Sequence, residues 1–436
     1  MTGSTQLKKT VLHGCHTLKS ANMAGFGGYH MPLWYETGAR AEHLAVIESA
    51  GLFDTSHMAV ITVGGSGAYD LLQHAFTRDL DRCIGTGPLV DGRSVYGLFL
   101  ETDGTVLDDA IIGQLGMDNY MVVVNAGMGP LICDHLRELA TADVNITDHS
   151  DTFAKIDLQG PSSALILQKL LDDPDGVLDD LRYFSFKGDL FGTGRAPVTI
   201  DSSIPLLLSR TGYTGEFGFE LFVDGAHGET LWNRLLEAGA PYGLTACGLA
   251  SRDSLRTGAM LPLSHQDIGN WKFGHTPWSF VLPTNGKGAT FTKQFVGADS
   301  LLKDDADFTC GFAGYDPRKI PISDTSVVLD ESGDAIGTIL TCTTDMAVDR
   351  VGEDRSRIVS IATAEADGRP EGFRARGLSC GFIRANRRCR AGEQLWLVEG
   401  KRKICVEVRD DIRPDRTARF SMKRMRSTSE ERGARQ

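Results

Sequence analysis

Two adjacent carboxylates, Asp108 and Asp109, lie in a segment that is otherwise apolar, between Leu107 and Ile111. Burying a carboxylate is costly unless a polar group pairs with it. The pair therefore indicates either a ligand whose edge carries amide-like donors or simply the polar face of an edge strand. Because neighbouring side chains of a strand point to opposite faces, we expect only one of the two carboxylates to reach a given pocket.

A second group of candidate residues lies in a glycine-rich segment, residues 209–221. Three glycines within seven residues require a sharp turn or a close approach of the backbone to another group. The segment also supplies Arg210, Tyr213, Glu216 and Glu220, which together can hold a flat, polar ligand. The composition alone equally allows a glycine-rich hairpin with solvated charges.

Strands must position both groups. Residues 94–101 alternate in polarity, Asp103-Gly104 is a strong two-residue turn signal, and residues 105–114 return. This predicts a hairpin whose second strand carries the two carboxylates. Residues 120–126 continue the ladder as a third strand.

The glycine-rich segment is framed in a similar way. An apolar stretch, residues 204–208, precedes it, and Phe219, Leu221 and Val223 alternate after it. This pattern predicts strand, tight loop, strand. A helix over residues 231–238 is predicted to follow.

The letters R-T-G-Y-T-G-E-x-G-F-E at 210–220 resemble the signature of the glycine cleavage system T protein family, the tetrahydrofolate-dependent aminomethyltransferases. Other segments match in the family's order: M-P-x-x-Y at 31–35, G-x-F-D-x-S-H-M at 51–58, L-Q-G-P at 158–161 and C-G-L-A-S-R-D-S-L-R at 247–256. The resemblance covers about residues 10–410 and is specific through roughly residue 262.

The resemblance implies an α+β, multi-domain folate-binding fold of antiparallel sheets and helices, with a C-terminal β-barrel domain. We assign residues 8–290 to the folate-binding region and 295–410 to the barrel. Short alternating runs separated by turns also indicate a small antiparallel barrel, with strands predicted at 312–315, 327–329, 336–340, 358–364, 395–398 and 404–408. The basic tail, 411–436, is predicted to be disordered.

The resemblance also implies a set of site residues. Asp109 corresponds to the catalytic aspartate, and Arg252 to an arginine that binds the glutamate end of folate, as suits a guanidinium facing a carboxylate. The residues implied to hold the folate ring are Tyr96, Asn125, Tyr213 and Glu220. Near Arg252, the spacing of Asp253 and Arg256 also allows an ordinary ion pair on a helix face, which would be worth little.

The activity implied by the resemblance is transfer of an aminomethyl unit from the lipoyl arm of a small acidic carrier, the H-type protein of the glycine cleavage system, to tetrahydrofolate. The products would be 5,10-methylenetetrahydrofolate, ammonia and the reduced lipoyl arm. Asp109 would orient the pterin and stabilise the cationic charge that develops as ammonia leaves.

Two stretches, 264–284 and 341–377, depart from the family's pattern and keep alternatives open. One alternative is a tetrahydrofolate-dependent O-, N- or S-demethylase of a small molecule. The other is a non-catalytic folate-binding protein of the type that assists iron–sulfur assembly. Those proteins carry a K-G-C-Y/F-x-G-Q-E loop, which this sequence lacks.

Composition narrows the class of protein. The 436 residues suffice for two or three domains, and a net charge of −12 argues against nucleic acid as a partner. No apolar run approaches the roughly 20 residues of a membrane span, so no membrane partner is predicted. Nine cysteines without a C-x-x-C pair suggest reduced thiols and no metal site. With no secretory signal or Arg-rich transit segment at the start, we predict a cytoplasmic protein.

Overall fold

The computed structural model describes residues 6–141, 143–285, 290–303 and 306–427. Within them, the strands in chain order are β1 (Asn22–Phe26), β2 (Tyr29–Trp34), β3 (Ala50–Asp54), β4 (Ala59–Gly64), β5 (Ser94–Leu100), β6 (Val106–Gly116), β7 (Asn119–Val124), β8 (Asn145–Asp148), β9 (Phe153–Gln159), β10 (Phe186–Lys187), β11 (Val198–Ile200), β12 (Ile204–Ser209), β13 (Gly218–Asp224), β14 (Leu244–Ala246), β15 (Phe308–Gly314), β16 (Val327–Leu329), β17 (Ala335–Asp345), β18 (Val348–Val351), β19 (Arg357–Ser360), β20 (Leu378–Ala385), β21 (Gln394–Glu399) and β22 (Arg402–Val408). The helices are α1 (His13–Leu18), α2 (Gly38–Glu48), α3 (Ala68–Ala75), α4 (Gly129–Leu139), α5 (Ser163–Leu167), α6 (Pro174–Leu178), α7 (Gly225–Gly239), α8 (Leu249–Gly258), α9 (Ala298–Leu301) and α10 (Met422–Met425). No helix in these ranges is long and apolar enough to cross a membrane.

The first antiparallel sheet has five strands in the order β5-β6-β7-β4-β8. Its β5–β6 hairpin confirms the predicted turn, where Gly104 takes the left-handed φ of +83° that a glycine tolerates. Leu98 pairs with Asp109 and Tyr96 pairs with Ile111 across the hairpin. Directly opposed residues share a face and side chains repeat every two residues, so Tyr96 and Asp109 lie on the same face.

The second sheet has seven strands in the order β10-β12-β13-β9-β3-β14, with β11 paired to β12. The predicted strand, loop, strand around the glycine-rich segment is confirmed as β12 and β13. Residues 218–223 of β13 are buried without a break, because apolar side chains cover both faces of the sheet. Glu220 of β13 pairs with Asp157 of β9, which sets two carboxylates side by side.

The C-terminal part is the predicted antiparallel barrel, closed in the order β15-β20-β17-β16-β21-β22. The run that we predicted as a barrel strand near Ile358 instead forms β19, which pairs with β18 outside the barrel. β20, which we did not predict, takes its place between β15 and β17. Its residues are buried almost throughout, so it lacks the alternation that marks a half-buried strand. The domain division at 290–295 stays a prediction.

The tail corrects one prediction. Residues 411–427 are ordered and return to the seven-stranded sheet, where Met422 and Met425 of α10 are buried in its core. The Arg413 guanidinium, 1% exposed, donates to Asp345 Oδ2 at 2.7 Å. The prediction of disorder failed here because this basic residue pairs with a buried carboxylate instead of facing water. Residues 428–436 lie outside the described residues.

Candidate active site

The five-stranded sheet brings Tyr96, Asp109 and Asn125 together. Asp109 is partly exposed, and its Oδ2 accepts a hydrogen bond from the Tyr96 hydroxyl at 2.7 Å. The Asn125 side-chain amide donates to Asp109 Oδ1 and to Asp108 Oδ1. Asp108 itself is fully buried, and it also accepts from Ser264 Oγ at 2.8 Å. The two carboxylates therefore differ in access, as the strand geometry predicts, while one amide links them.

Burial and the neighbouring Asp108 carboxylate raise the pKa of Asp109 to about 6. Burial and the Asp109 carboxylate also raise the pKa of Tyr96 well above its ordinary value. Tyr96 therefore keeps its proton and donates a hydrogen bond to Asp109. At neutral pH, Asp109 is ionised and carries its negative charge at the edge of the sheet.

A second cluster forms on the seven-stranded sheet around Lys155, which is 1% exposed. Its Nζ lies 2.8 Å from Asp157 Oδ1 and 2.7 Å from Glu220 Oε2. Arg252 of α8 donates to Asp157 Oδ2 at 2.8 Å. Two cations thus meet two carboxylates, which is how buried charges are tolerated.

The cluster perturbs its two carboxylates in opposite directions. Burial raises the pKa of Glu220 above its ordinary value, although Lys155 opposes the shift. The pKa of Asp157 is lowered despite burial, because both Lys155 and Arg252 favour its ionised form. Neither Lys155 nor Asp157 was predicted as a site residue. Their signal was two opposite charges spaced by two in an apolar strand that precedes Gln159.

Tyr213 lies in the glycine-rich loop, under the Arg252 guanidinium, whose carbon is 4.9 Å from the ring centroid. Its hydroxyl donates to the Pro262 carbonyl. The loop wraps closely around Gln159, so that a Cβ added at Gly212 would lie 2.0 Å from Gln159 Oε1. This close approach explains why the loop needs glycine there.

Arg210 and Glu216 correct another expectation, since both side chains are buried and bonded to the tail instead of being free to hold a ligand. Arg210 is buried and donates to the Ala418 carbonyl at 3.3 Å and to the Phe420 carbonyl. Glu216 accepts from Thr417 Oγ1 at 2.7 Å. These two residues anchor the ordered part of the tail to the loop.

A cavity of about 470 Å³ lies beside α8, with Tyr213 and Arg252 in its wall. Among the described residues, its wall does not include Asp109 or Glu220. Residues 261–268 connect the cavity to the carboxylate pair, since Leu263 lines the cavity while Ser264 bonds Asp108. The predicted site residues thus form two groups, which the segment 261–268 joins. One group lies on the five-stranded sheet and consists of Tyr96, Asp109 and Asn125. The other lies at the seven-stranded sheet and α8 and consists of Tyr213, Glu220 and Arg252.

Comparisons with known proteins agree on one family. The family model described as the GCVT N-terminal domain matches residues 12–274. An aminomethyltransferase of Streptomyces avermitilis is 41% identical over 299 residues, covering 68% of this chain and 73% of that protein. One from Deinococcus deserti is 34% identical over 341 residues, covering 78% of this chain and 85% of that protein. The crystal structure of glycine cleavage system aminomethyltransferase T from Bartonella henselae superposes with a TM-score of 0.71 at 25% identity, covering 92% of this chain and 97% of that one.

Proposed function

The chain belongs to the glycine cleavage T-protein family of aminomethyltransferases, and on that premise we propose that it transfers an aminomethyl unit to tetrahydrofolate. The segment matched by the family model contains all six predicted site residues. The demethylase and the non-catalytic folate-binding protein are not favoured, because the relatives matched here are aminomethyltransferases.

The donor that we propose is the aminomethyl group on the lipoyl arm of the glycine cleavage carrier protein. Tetrahydrofolate supplies the nitrogen atoms that accept the carbon unit, so the protein need not supply a covalent nucleophile. Its own task is to position the two substrates and to stabilise charge. The products are 5,10-methylenetetrahydrofolate, ammonia and the reduced lipoyl arm.

The observation that carries the proposal is the Asp109 carboxylate. It is partly exposed, and two neutral donors, Tyr96 and Asn125, fix its direction. With a pKa of about 6 it is ionised at neutral pH. A fixed negative charge in a partly desolvated site stabilises a cationic centre that forms beside it, as happens when ammonia leaves.

The remaining predicted residues suit the other parts of a folate. Glu220 offers carboxylate acceptors to the pterin edge, and Lys155 fixes that carboxylate at 2.7 Å. One guanidinium nitrogen of Arg252 donates a hydrogen bond to Asp157. Arg252 also lies in the wall of the cavity, where a glutamate carboxylate can approach it. The cavity volume of about 470 Å³ is in the range of small-molecule sites, about 300–1,000 Å³.

The variant Asp109→Asn tests the proposal because it removes the charge and keeps the shape. We expect it to bind tetrahydrofolate with nearly unchanged affinity and to lose turnover by about 10²–10³-fold, as for other electrostatic catalytic groups. Affinity is measured by calorimetry and turnover by formation of methylenetetrahydrofolate. Asp103→Asn, an exposed change at the turn of the same hairpin, is the matched control. Equal turnover in Asp109→Asn and wild type would reject the role of Asp109.

A further inference from the structure

His265 has an unusual backbone conformation beside the carboxylate pair. Its φ is +61°, in the left-handed region that residues other than glycine rarely adopt. Neighbouring bonds enforce this conformation: its own N–H donates to the Ile268 carbonyl at 2.7 Å, and the Asp267 N–H donates to the Leu263 carbonyl at 2.8 Å. Residues held in such conformations concentrate at functional sites.

The His265 imidazole lies between the buried Asp108 carboxylate and open space. Its Nε2 is 3.6 Å from Asp108 Oδ1, and its Nδ1 is 3.3 Å from Asn270 Oδ1. The His265 side chain is 37% exposed, so substrates can reach it, whereas the Asp108 side chain is fully buried. His265 is therefore a titratable group that lies beside Asp108 and is also open to the solvent side.

The groups that face His265 favour its protonated form. The Asp108 carboxylate raises the pKa of His265 above 6.5 against the effect of burial, and Asn270 and the Asp109 carboxylate add to the rise. Both charged groups that face it are acidic, and Ser264, its chain neighbour, is already bonded to Asp108. The ring thus lies beside a carboxylate that favours its protonated form, and its exposed side leaves a path along which the proton can be released.

The proposed reaction needs such a proton carrier. When the aminomethyl donor reacts as its ammonium form, the C–N and C–S bonds of the donor break and two new C–N bonds form to the folate. The two folate nitrogens release one proton each. One proton converts the departing ammonia to ammonium, and the other converts the sulfur to a thiol. No electron is gained or lost, so the step is a pure transfer with two protons to move.

We propose that His265 is the general acid–base of this transfer: it protonates a leaving group of the donor and recovers a proton from a folate nitrogen. The inference rests on the proposed function and adds a residue to it. Asp108 acts through His265 as a positioning residue, since it is buried, accepts from the Asn125 amide at 2.8 Å and lies 3.6 Å from the imidazole.

The variant His265→Gly is the sharpest test, because glycine tolerates the left-handed backbone and leaves a gap the size of the ring. We expect kcat to fall about 100-fold or more, as for other acid–base residues, and added imidazole to restore part of it. Wild-type kcat should fall as the pH rises through the raised pKa of His265 and the ring loses its proton, and His265→Gly should lack this fall. His227→Gln, on α7 and outside both groups of predicted site residues, is the control.

A second measurement does not depend on turnover. The His265 ring protons are followed by NMR as the pH is raised, in wild type and in Asp108→Asn. The titration midpoint should be lower in Asp108→Asn, because the charge that favours the protonated ring is removed. An unchanged midpoint would show that Asp108 does not influence the protonation of His265, and it would overturn the positioning role of Asp108.

The outcomes separate this inference from the function on which it rests. A wild type that makes no methylenetetrahydrofolate overturns both. An active wild type with His265→Gly within twofold of it overturns the inference alone. Loss of turnover without imidazole rescue and with the pH profile unchanged means a structural role, and it also overturns the inference.

Discussion

Asp109 differs from an ordinary surface aspartate because of its neighbours. Burial and the Asp108 carboxylate, adjacent on β6, raise its pKa to about 6, while Tyr96 and Asn125 favour the ionised form and limit the rise. The result is a carboxylate that titrates just below neutral pH. Perturbed acids of this kind concentrate where chemistry requires them.

The raised pKa of Asp109 predicts a pH dependence. If the ionised carboxylate is the active form, kcat rises as the pH increases through about 6, because the carboxyl group loses its proton there. With the fall expected from His265 at higher pH, the profile is bell-shaped. The measurement is kcat between pH 5 and pH 9. A flat profile from pH 5 to 7 would contradict the role of the ionised carboxylate.

Arg252 permits a test with matched ligands. Arg252→Gln should weaken binding of tetrahydrofolate by about tenfold or more, since a charged hydrogen bond is worth about 1.5–3 kcal/mol. Tetrahydropteroate, which lacks the glutamate, should bind wild type and variant alike. Both dissociation constants are measured by calorimetry. Equal weakening of both ligands would show that Arg252 acts on the ring or on the fold instead of the tail.

The sequence could predict some of the site's contacts and not others. Tyr96, Asp109 and Asn125 belong to consecutive strands, so their proximity follows from one hairpin and the strand after it. The bond between Ser264 and Asp108 joins residues 156 apart. No local sequence pattern predicts a contact between residues so far apart in the chain, because only the tertiary fold brings them together.

At the scale of elements, the tail is tied into the site region by charge. Arg413 lies between Asp345 of the barrel and Glu216 of the glycine-rich loop, with nitrogens 2.7 Å and 3.3 Å from their oxygens. The pKa of Asp345 is well below its usual range despite burial, because Arg413 and His43 favour its ionised form. The tail therefore fixes the position of the loop that carries Tyr213.

Arg413→Met should destabilise the protein, because it leaves Asp345 and Glu216 buried without their cation. Removing one partner of a buried pair costs about 3–5 kcal/mol. We expect urea unfolding to shift to lower concentration, and the loop to become sensitive to limited proteolysis. Arg402→Met, an exposed arginine on β22, is the control and should change stability by less than about 0.5 kcal/mol. Equal unfolding curves for the two variants would contradict a structural role for the tail.

Elements with strong local signals were predictable and those defined by packing were not. The β5–β6 hairpin has a turn signal and alternation, and both were found. β20 is buried on both faces and so carries no period-two pattern. The tail's order depends on carboxylates that are distant in sequence, so its basic composition alone gave the wrong answer.

At the scale of the whole molecule, one buried network joins the helices, the barrel and the tail. His43 of α2 lies 3.0 Å from Asp345 and 2.7 Å from Ser254 of α8. Asp345 in turn binds Arg413. The barrel thus holds the helix that carries Arg252 in place. The position of Arg252 therefore depends on the barrel and the tail as well as on the two N-terminal sheets.

The most direct test of the account uses the intact protein with a lipoyl carrier protein loaded with a labelled aminomethyl group, together with tetrahydrofolate. The folate product is identified by mass and by its oxidation level. The account predicts labelled 5,10-methylenetetrahydrofolate and one ammonia for each carbon transferred. No product from the loaded carrier, together with 5-methyltetrahydrofolate from a methylated small molecule, would contradict it.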